Sequence, residues 1–295
     1  MHIEPTSRCT LACPACPRTQ FIKKFKRPFP KQDLNLQDLW HFLDCDTGKK
    51  VSQFTLNGNH GDPIYYPDLF KLIDLFRNKV KYKISTNGSY QPESFWHNLG
   101  DRLTSDDTIY FSIDGLEHNN HLYRRNSDWN SIMAGLDIML SKTVKVVWKT
   151  LYFSYNEFEI DQIEKLAKDK GCIFVVEPTS RFGDPKLEPS KKYIETTRVY
   201  KPEEKTLIEP QCFSQEYISA DGYYWPCCLI TGYNTLHQTT LWKNRDQWAI
   251  KNKSLDETRI LLNDWYKKIT DDLENASPLC KMHCKPGQKF VWSSV

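Results

Sequence analysis

The stretch Ser7-Arg8-Cys9-Thr10-Leu11-Ala12-Cys13-Pro14-Ala15-Cys16-Pro17 follows directly on a β-rich run at residues 2–6, and its reading decides the fold. The three cysteines are spaced CxxxCxxC, so one short loop offers three thiolates. A closed structural zinc site or a fully ligated iron–sulfur cluster takes four ligands. Three leave one metal position open, and an open position is where chemistry happens. The bland alternative is core cysteines falling at that spacing by accident. What surrounds the loop decides between the two.

Outward from the loop, short β-rich runs alternate with amphipathic helical stretches. Strands are expected at 2–6, 52–57, 81–85, 108–113, 144–153 and 172–177. Between them, apolar residues at three- and four-residue spacing predict helices, for example at 36–43, 69–76 and 160–167, the last closed by Gly171. Such alternation builds βα units around a parallel sheet. Six units before about residue 180 fall short of the eight of a closed barrel, so the expected fold is α/β, a partial (β/α)6 TIM-like barrel over residues 1–180. Loops at the C-terminal ends of its strands make the active site, and the cysteine loop sits at that end. Residues 181–209, rich in Lys, Glu and Pro, read as a linker crossing the surface. Residues 210–295 form a second, small domain. It opens with a β-hairpin, 217–219 and 223–225 around Ala220-Asp221-Gly222, and continues with helices near 240–251 and 255–273 before Cys280 and Cys284.

Composition bounds the function. The 295 residues carry a net charge of +3, which gives no argument for nucleic acid or a membrane as partner. No apolar run approaches the roughly 20 residues that span a bilayer. The first residues lack a basic and then apolar leader, so no export signal is expected. Ten cysteines without export point to metal or redox chemistry in a reducing compartment, and a cytoplasmic location is expected. Cys172 reads as core packing and Cys45 as a free thiol. His2, His41, His97 and His118 show no ligand spacing. The basic run Lys23-Lys24-Phe25-Lys26-Arg27 reads as a solvated loop, or as a site for an anionic substrate group near the barrel mouth.

Further motifs close successive strands. Asn57-Gly58-Asn59-His60-Gly61-Asp62-Pro63 follows the second, Ser85-Thr86-Asn87-Gly88 ends the third, and Phe111-Ser112-Ile113-Asp114-Gly115 ends the fourth, with Arg124 beyond. Taken singly these are ordinary turns, a helix-capping aspartate and a surface arginine. Near the C-terminus, Cys212, Gly222 and Cys227 are spaced Cys-x9-Gly-x4-Cys, followed by Cys280 and Cys284.

Together these motifs resemble the radical S-adenosylmethionine (SAM) enzymes that carry a C-terminal Twitch/SPASM-type auxiliary-cluster domain, and the resemblance covers nearly the whole chain. It implies a 4Fe–4S cluster on Cys9, Cys13 and Cys16 whose fourth iron is chelated by the methionine group of SAM. Reduction then releases a 5′-deoxyadenosyl radical that abstracts hydrogen from substrate, which requires a water-poor pocket. His60, Gly61, Asp62 and Pro63 match the segment that binds the methionine amino group, with His60 in place of a glycine and Asp62 in place of a glutamate. Asn87, Ser112, Asp114, Arg124 and Lys149 are the remaining cofactor-binding candidates, with Glu177 facing the same mouth. Cys212, Cys227, Cys280 and Cys284 would hold a second, fully ligated 4Fe–4S cluster, with Cys228 an alternative to Cys227. The family's usual aromatic residue before the third cysteine is Ala15 here, which alters the adenine contact. The resemblance implies an oxidoreductase or transforming enzyme acting on a small molecule or a peptide, and an electron donor such as flavodoxin or ferredoxin. The substrate is expected to be a small molecule, or a peptide delivered by a separate partner, because the first strand starts at Met1. The competing reading is a non-catalytic zinc- or nucleic-acid-binding protein built on the same cysteines.

Overall fold

The structure is a computed structural model, and it describes residues 1–179, 181–182, 184, 187–192, 216–228, 240–271, 280 and 284. Along the chain run β1 (His2–Ile3), α1 (Pro17–Phe25), α2 (Leu36–Leu43), β2 (Gln53–Leu56), α3 (Leu69–Leu75), β3 (Lys81–Thr86), α4 (Glu93–Gly100) and β4 (Thr108–Ser112). There follow α5 (Trp129–Leu140), β5 (Lys145–Leu151), α6 (Ile160–Lys170), β6 (Ile173–Glu177), β7 (Tyr217–Ile218), β8 (Tyr224–Trp225), α7 (Thr240–Lys243) and α8 (Leu255–Asp271). They divide into two compact units. One comprises the described residues of Glu4–Asp33 and Ser52–Val199, and the other those of Met1–Ile3, Leu34–Val51 and Tyr200–Val295.

In the first unit β2 to β6 are all parallel and adjacent in chain order, with Lys83 opposite Thr108, Ser112 opposite Lys149 and Leu151 opposite Glu177. A parallel neighbour requires a crossover, and α3 to α6 supply one between each pair. The helices cover one face. Phe54, Leu56, Ile84, Ile109, Phe111 and Trp148 are wholly buried beneath them, with Trp96 of α4 against Phe111 at 5.3 Å and Trp129 of α5 against Trp148 at 6.1 Å. Alternate residues on the same strands, Gln53, Thr55, Lys83, Ser85, Ser112 and Lys149, are polar and half-buried. A parallel sheet covered on both faces reads as continuous apolar runs. The alternation therefore marks the second face as a partly polar interior, as in a partial TIM-like barrel, and the α/β expectation holds. Cys172 lies in the core of this unit, as expected.

Helix ends follow their local chemistry. Asn35 accepts from Asp38 N to start α2, and Asp128 accepts from Ser131 N to start α5. Gly171 ends α6 at φ +95, a left-handed conformation that suits glycine. α1, α4 and α5 are additions to the helices named from sequence. β1 stops at Ile3 rather than residue 6, since Pro5 has no N–H to donate to a ladder. Residues 187–192, read as the start of a surface linker, pack on the barrel: Leu187 is buried with Leu11, Cys13 and Tyr123, and Ser190 donates to Glu157 at 2.6 Å.

In the second unit β1 pairs parallel with β7, and β7 forms the expected hairpin with β8, turning at Gly222 with φ +80. Phe42 of α2 packs on Tyr224 at 5.6 Å. The helix expected at 240–251 is instead α7 followed by two 3₁₀ turns, Arg245–Trp248 and Ile250–Asn252. The hairpin competes for that segment: Ala249 bridges Tyr223, and Ile250 N donates to Gly222 O at 3.0 Å. Among the described residues no helix is long and apolar enough to cross a membrane.

Candidate active site

The site is built from loops at the C-terminal ends of the strands, and three buried carboxylates, Glu4, Asp62 and Asp114, hold these loops in shape. Cys13 is buried, and Cys9 and Cys16 are half-buried. Cys16 is the N-cap residue of α1, whose first helical residue is Pro17. The loop is pinned at both ends, since Cys16 N donates to Cys13 O at 3.1 Å and Ala12 N donates to Arg125 O at 2.9 Å.

The loop after β2 is folded around Glu4. This carboxylate is 1 % exposed and accepts from His60 N at 2.6 Å and Gly61 N at 2.9 Å, while His60 Nδ1 lies 3.5 Å from its second oxygen. Gly61 is required by close approach: a Cβ there would lie 1.9 Å from the Thr6 carbonyl oxygen. Asp62 then turns towards the loop after β3. Its Oδ2 accepts from Asn87 N at 2.7 Å, from Thr86 Oγ1 at 3.1 Å and from Asn87 Nδ2, and its Oδ1 accepts from Ile64 N at 3.2 Å. Burial pushes the Asp62 carboxyl up to about 6, against the pull of these bonds. Asn87 Nδ2 also reaches Cys9 Sγ at 3.7 Å, which brings the loops of β2 and β3 to the cysteines. Pro63 follows inside a 3₁₀ turn capped by Asp62.

Asp114, wholly buried, performs the same service between β4 and β5. Its Oδ1 accepts from Leu151 N at 2.7 Å and its Oδ2 from Arg124 Nε at 2.6 Å, while its carbonyl accepts from Tyr155 OH at 2.9 Å and Asn156 Nδ2 at 2.8 Å. Burial opposes the Arg124 charge most strongly, but Asp114, Cys13 and Tyr123 together offset it and hold the guanidinium above its ordinary range. Ser112 and Lys149 lie side by side across β4 and β5, half-buried, and Lys149 Nζ pairs with Glu177 Oε2 at 2.5 Å.

Around Cys13 the lining is apolar. Leu11, Tyr123, Leu151, Phe153 and Leu187 form one buried cluster, with Cys9, Ala15, Cys16, Tyr155 and Phe182 packed against it. Burial pushes the Cys9 thiol up to about 12 and raises that of Cys13, while Arg18 and Arg124 respectively pull the other way. Among the described residues no three cysteine, histidine or carboxylate groups already converge in metal-holding geometry. The Cys9 thiol instead accepts from Leu11 N at 3.4 Å and from Asn87. The donor set nevertheless fits a cluster: three soft thiol ligands stand in one loop, flanked by guanidinium charges. The buried Arg18 Nε has no hydrogen-bond partner, which suits an anionic group beside it.

Glu4, Tyr65, Arg18 and Tyr155 are additions to the residues picked out from sequence. Tyr65 OH contacts Thr10 Oγ1 at 2.8 Å and donates to Ser89 O, clamping the cysteine loop to the β3 loop. The available signal for Glu4 was a carboxylate just ahead of the cysteine loop, between Ile3 and Pro5. In the second unit Cys228 and Cys280 are buried, Cys227 and Cys284 half-buried, and Cys284 N donates to Cys280 O at 2.9 Å. Cys212 lies outside the described residues.

The fold is shared with solved structures. SuiB of Streptococcus suis, in its structure bound to S-adenosylmethionine, superposes with a TM-score of 0.59 at 16% identity, over 84% of this chain and 64% of that one. SuiB bound to the precursor peptide SuiA superposes with a TM-score of 0.58 at 15% identity, over 79% and 60%. The chain thus spans less than two thirds of SuiB. No family model and no curated protein matches the sequence.

Proposed function

We propose that this protein is a radical SAM enzyme, an oxidoreductase or transforming enzyme whose cleaving 4Fe–4S cluster is held by Cys9, Cys13 and Cys16. The observation that carries the reading is the ring of strand-end loops around that cysteine loop, closed by Asp62 with Asn87 on one side and Asp114 with Arg124 on the other. Bound and reduced, the cluster would supply the electron that splits SAM into methionine and a 5′-deoxyadenosyl radical. The chain's own residues do the rest. Backbone groups of His60, Gly61 and Pro63, in a loop whose shape Glu4 sets, receive the methionine amino group, with Asp62 as the nearby negative charge. Asn87, Ser112, Arg124 and Lys149 line the path for the nucleoside and carboxylate, and the buried Asp114 acts there by holding Arg124. The wall of Leu11, Tyr123, Leu151 and Phe153 excludes water, which a carbon radical needs.

A second 4Fe–4S cluster on Cys212, Cys227, Cys280 and Cys284 forms part of the proposal, with Cys228 the alternative to Cys227, as does a division into barrel (1–180), linker (181–209) and Twitch-type domain (210–295). The substrate is a small molecule or a peptide; SuiB, which has this fold, is seen with a precursor peptide. Flavodoxin or ferredoxin is the electron donor class, and the compartment is the reducing cytoplasm. The test is anaerobic reconstitution, reduction with dithionite and addition of SAM. The expected result is 5′-deoxyadenosine and about eight iron and eight sulfide per chain. Colourless protein holding zinc would overturn the whole reading, and about four iron would overturn only the second cluster.

A further inference from the structure

α1 and the turn after it differ from the rest of the surface. Residues 17–31 carry six cations, Arg18, Lys23, Lys24, Lys26, Arg27 and Lys31, and no acidic residue, although the whole chain nets only +3. Every residue from Ile22 to Pro28 is exposed, and the run holds Phe25 at 51 % and Ile22 at 37 % exposure. On α3 and α6 the lysines are matched to acids, as in Lys71–Asp68, Lys165–Asp169 and Lys168–Glu164. On α1 and the turn after it two of the cations lie over rings instead: Lys24 Nζ is 5.3 Å from the Phe25 centroid, and the Arg27 guanidinium is 5.3 Å from that of Phe21.

This face is connected to the site in two ways. Cys16 caps the helix, so its exposed end lies about 14 Å of helix away from the third cysteine. A file of rings also runs inward from the exposed Phe25. Phe25 meets Phe21 at 4.7 Å, Phe21 meets Phe29 at 5.1 Å, and Phe29 stacks on His60 at 4.8 Å and 19°. His60 belongs to the loop that Glu4 holds.

We infer that this face docks an acidic, one-electron carrier protein that delivers the electron to the cluster site. The inference rests on the proposed cluster at Cys9, Cys13 and Cys16. An aromatic and aliphatic centre with a charged rim is the anatomy of a protein interface, and unpaired like charges steer an oppositely charged partner. A phosphate backbone would use the cations but leave Ile22 and Phe25 without a counterpart. In the step itself one electron leaves the reduced carrier, which is oxidised by one electron, and one electron enters the cluster site. No atom is transferred.

The test compares two reductants in the anaerobically reconstituted full chain: dithionite, and an acidic flavodoxin kept reduced by its reductase and NADPH. Lys23→Glu/Lys24→Glu and Phe25→Ser are expected to lower flavodoxin-driven 5′-deoxyadenosine formation about ten-fold while the dithionite-driven rate stays within about two-fold. Flavodoxin binding, followed by its flavin fluorescence, is expected to weaken about ten-fold between roughly 50 and 300 mM NaCl and to be lost in the charge-reversed variant. Equal flavodoxin-driven rates in all three proteins would overturn the inference, as would variants that lose the dithionite rate equally. So would tighter binding of an RNA oligomer than of flavodoxin. If the wild type makes no 5′-deoxyadenosine even with dithionite, the enzyme reading fails. The docking claim then stands or falls on the binding measurement alone.

Discussion

Arg124 Nε donates to Asp114 Oδ2 at 2.6 Å, with the carboxylate wholly buried and the arginine side chain 13 % exposed. The same carboxylate takes Leu151 N, so one ion pair joins the loop after β4 to the end of β5. Removing one partner of such a pair leaves an uncompensated buried charge, which destabilises by about 3–5 kcal/mol. Arg124→Met should therefore lower unfolding free energy by about that amount in urea titrations. A loss below about 1 kcal/mol would show that water or another cation reaches Asp114.

Asp62 gives the fold a pH signature. Its carboxyl is raised from 3.8 to about 6 by burial, so the folded state prefers the protonated form. Its contribution to stability is thus fully present below pH 3.8, declines as pH rises to about 6, and is flat above. At about 1.4 kcal/mol per unit the decline is roughly 3 kcal/mol. Asp62→Asn cannot titrate, so the wild type should lose about that much relative to the variant between about pH 4 and 6. A constant difference across that range would mean that the donors of Thr86 and Asn87 hold the carboxyl near its ordinary value.

The sequence exposes these residues but not their partners. Strand and helix positions are legible because β2 and β3 alternate apolar and polar residues, β4 to β6 are short β-branched and aromatic runs, and the helices between them carry apolar stripes. Asp62, Asn87 and Asp114 stand out because each lies in the loop that follows a strand, and Arg124 because it lies further along the loop after β4. That Asp62 turns to Asn87, 25 residues on, or that Asp114 takes Leu151 N, 37 residues on, as well as Arg124 within its own loop, depends on how the loops fold and meet. The end of the 240–251 segment fails for a related reason: its helical spacing is real, but the hairpin at Tyr223 captures Ala249.

Gly135 sets two effects against each other. It lies inside α5, where alanine would be favoured by about 1 kcal/mol. Yet a Cβ there would stand 2.4 Å from Trp96 Cε2 and 2.5 Å from its Nε1, and Trp96 is wholly buried against Phe111. Overpacking of this kind costs about 1–3 kcal/mol, and a ring wedged between helix and sheet has little room to give. The clash should win, so Gly135→Ala is expected to lower the melting temperature by about 2–6 °C. A rise would show that α4 shifts freely.

Glu4 separates holding a loop from merely filling the core. Its Oε1 accepts from both His60 N and Gly61 N, so Glu4→Ala orphans two part-buried donors. At about 1–3 kcal/mol for each unsatisfied group, part of the loss should appear as stability and part as a rearranged loop. Glu4→Gln keeps one acceptor oxygen of the same reach. If the loop's shape is what receives SAM, equilibrium binding of SAM to the reconstituted protein should weaken about ten-fold in Glu4→Ala and at most about three-fold in Glu4→Gln. Both substitutions lower stability, so affinity is the deciding readout. Unchanged affinity in Glu4→Ala, measured well below its melting temperature, would reduce Glu4 to a structural residue and move the amino-group contact away from residues 60–63.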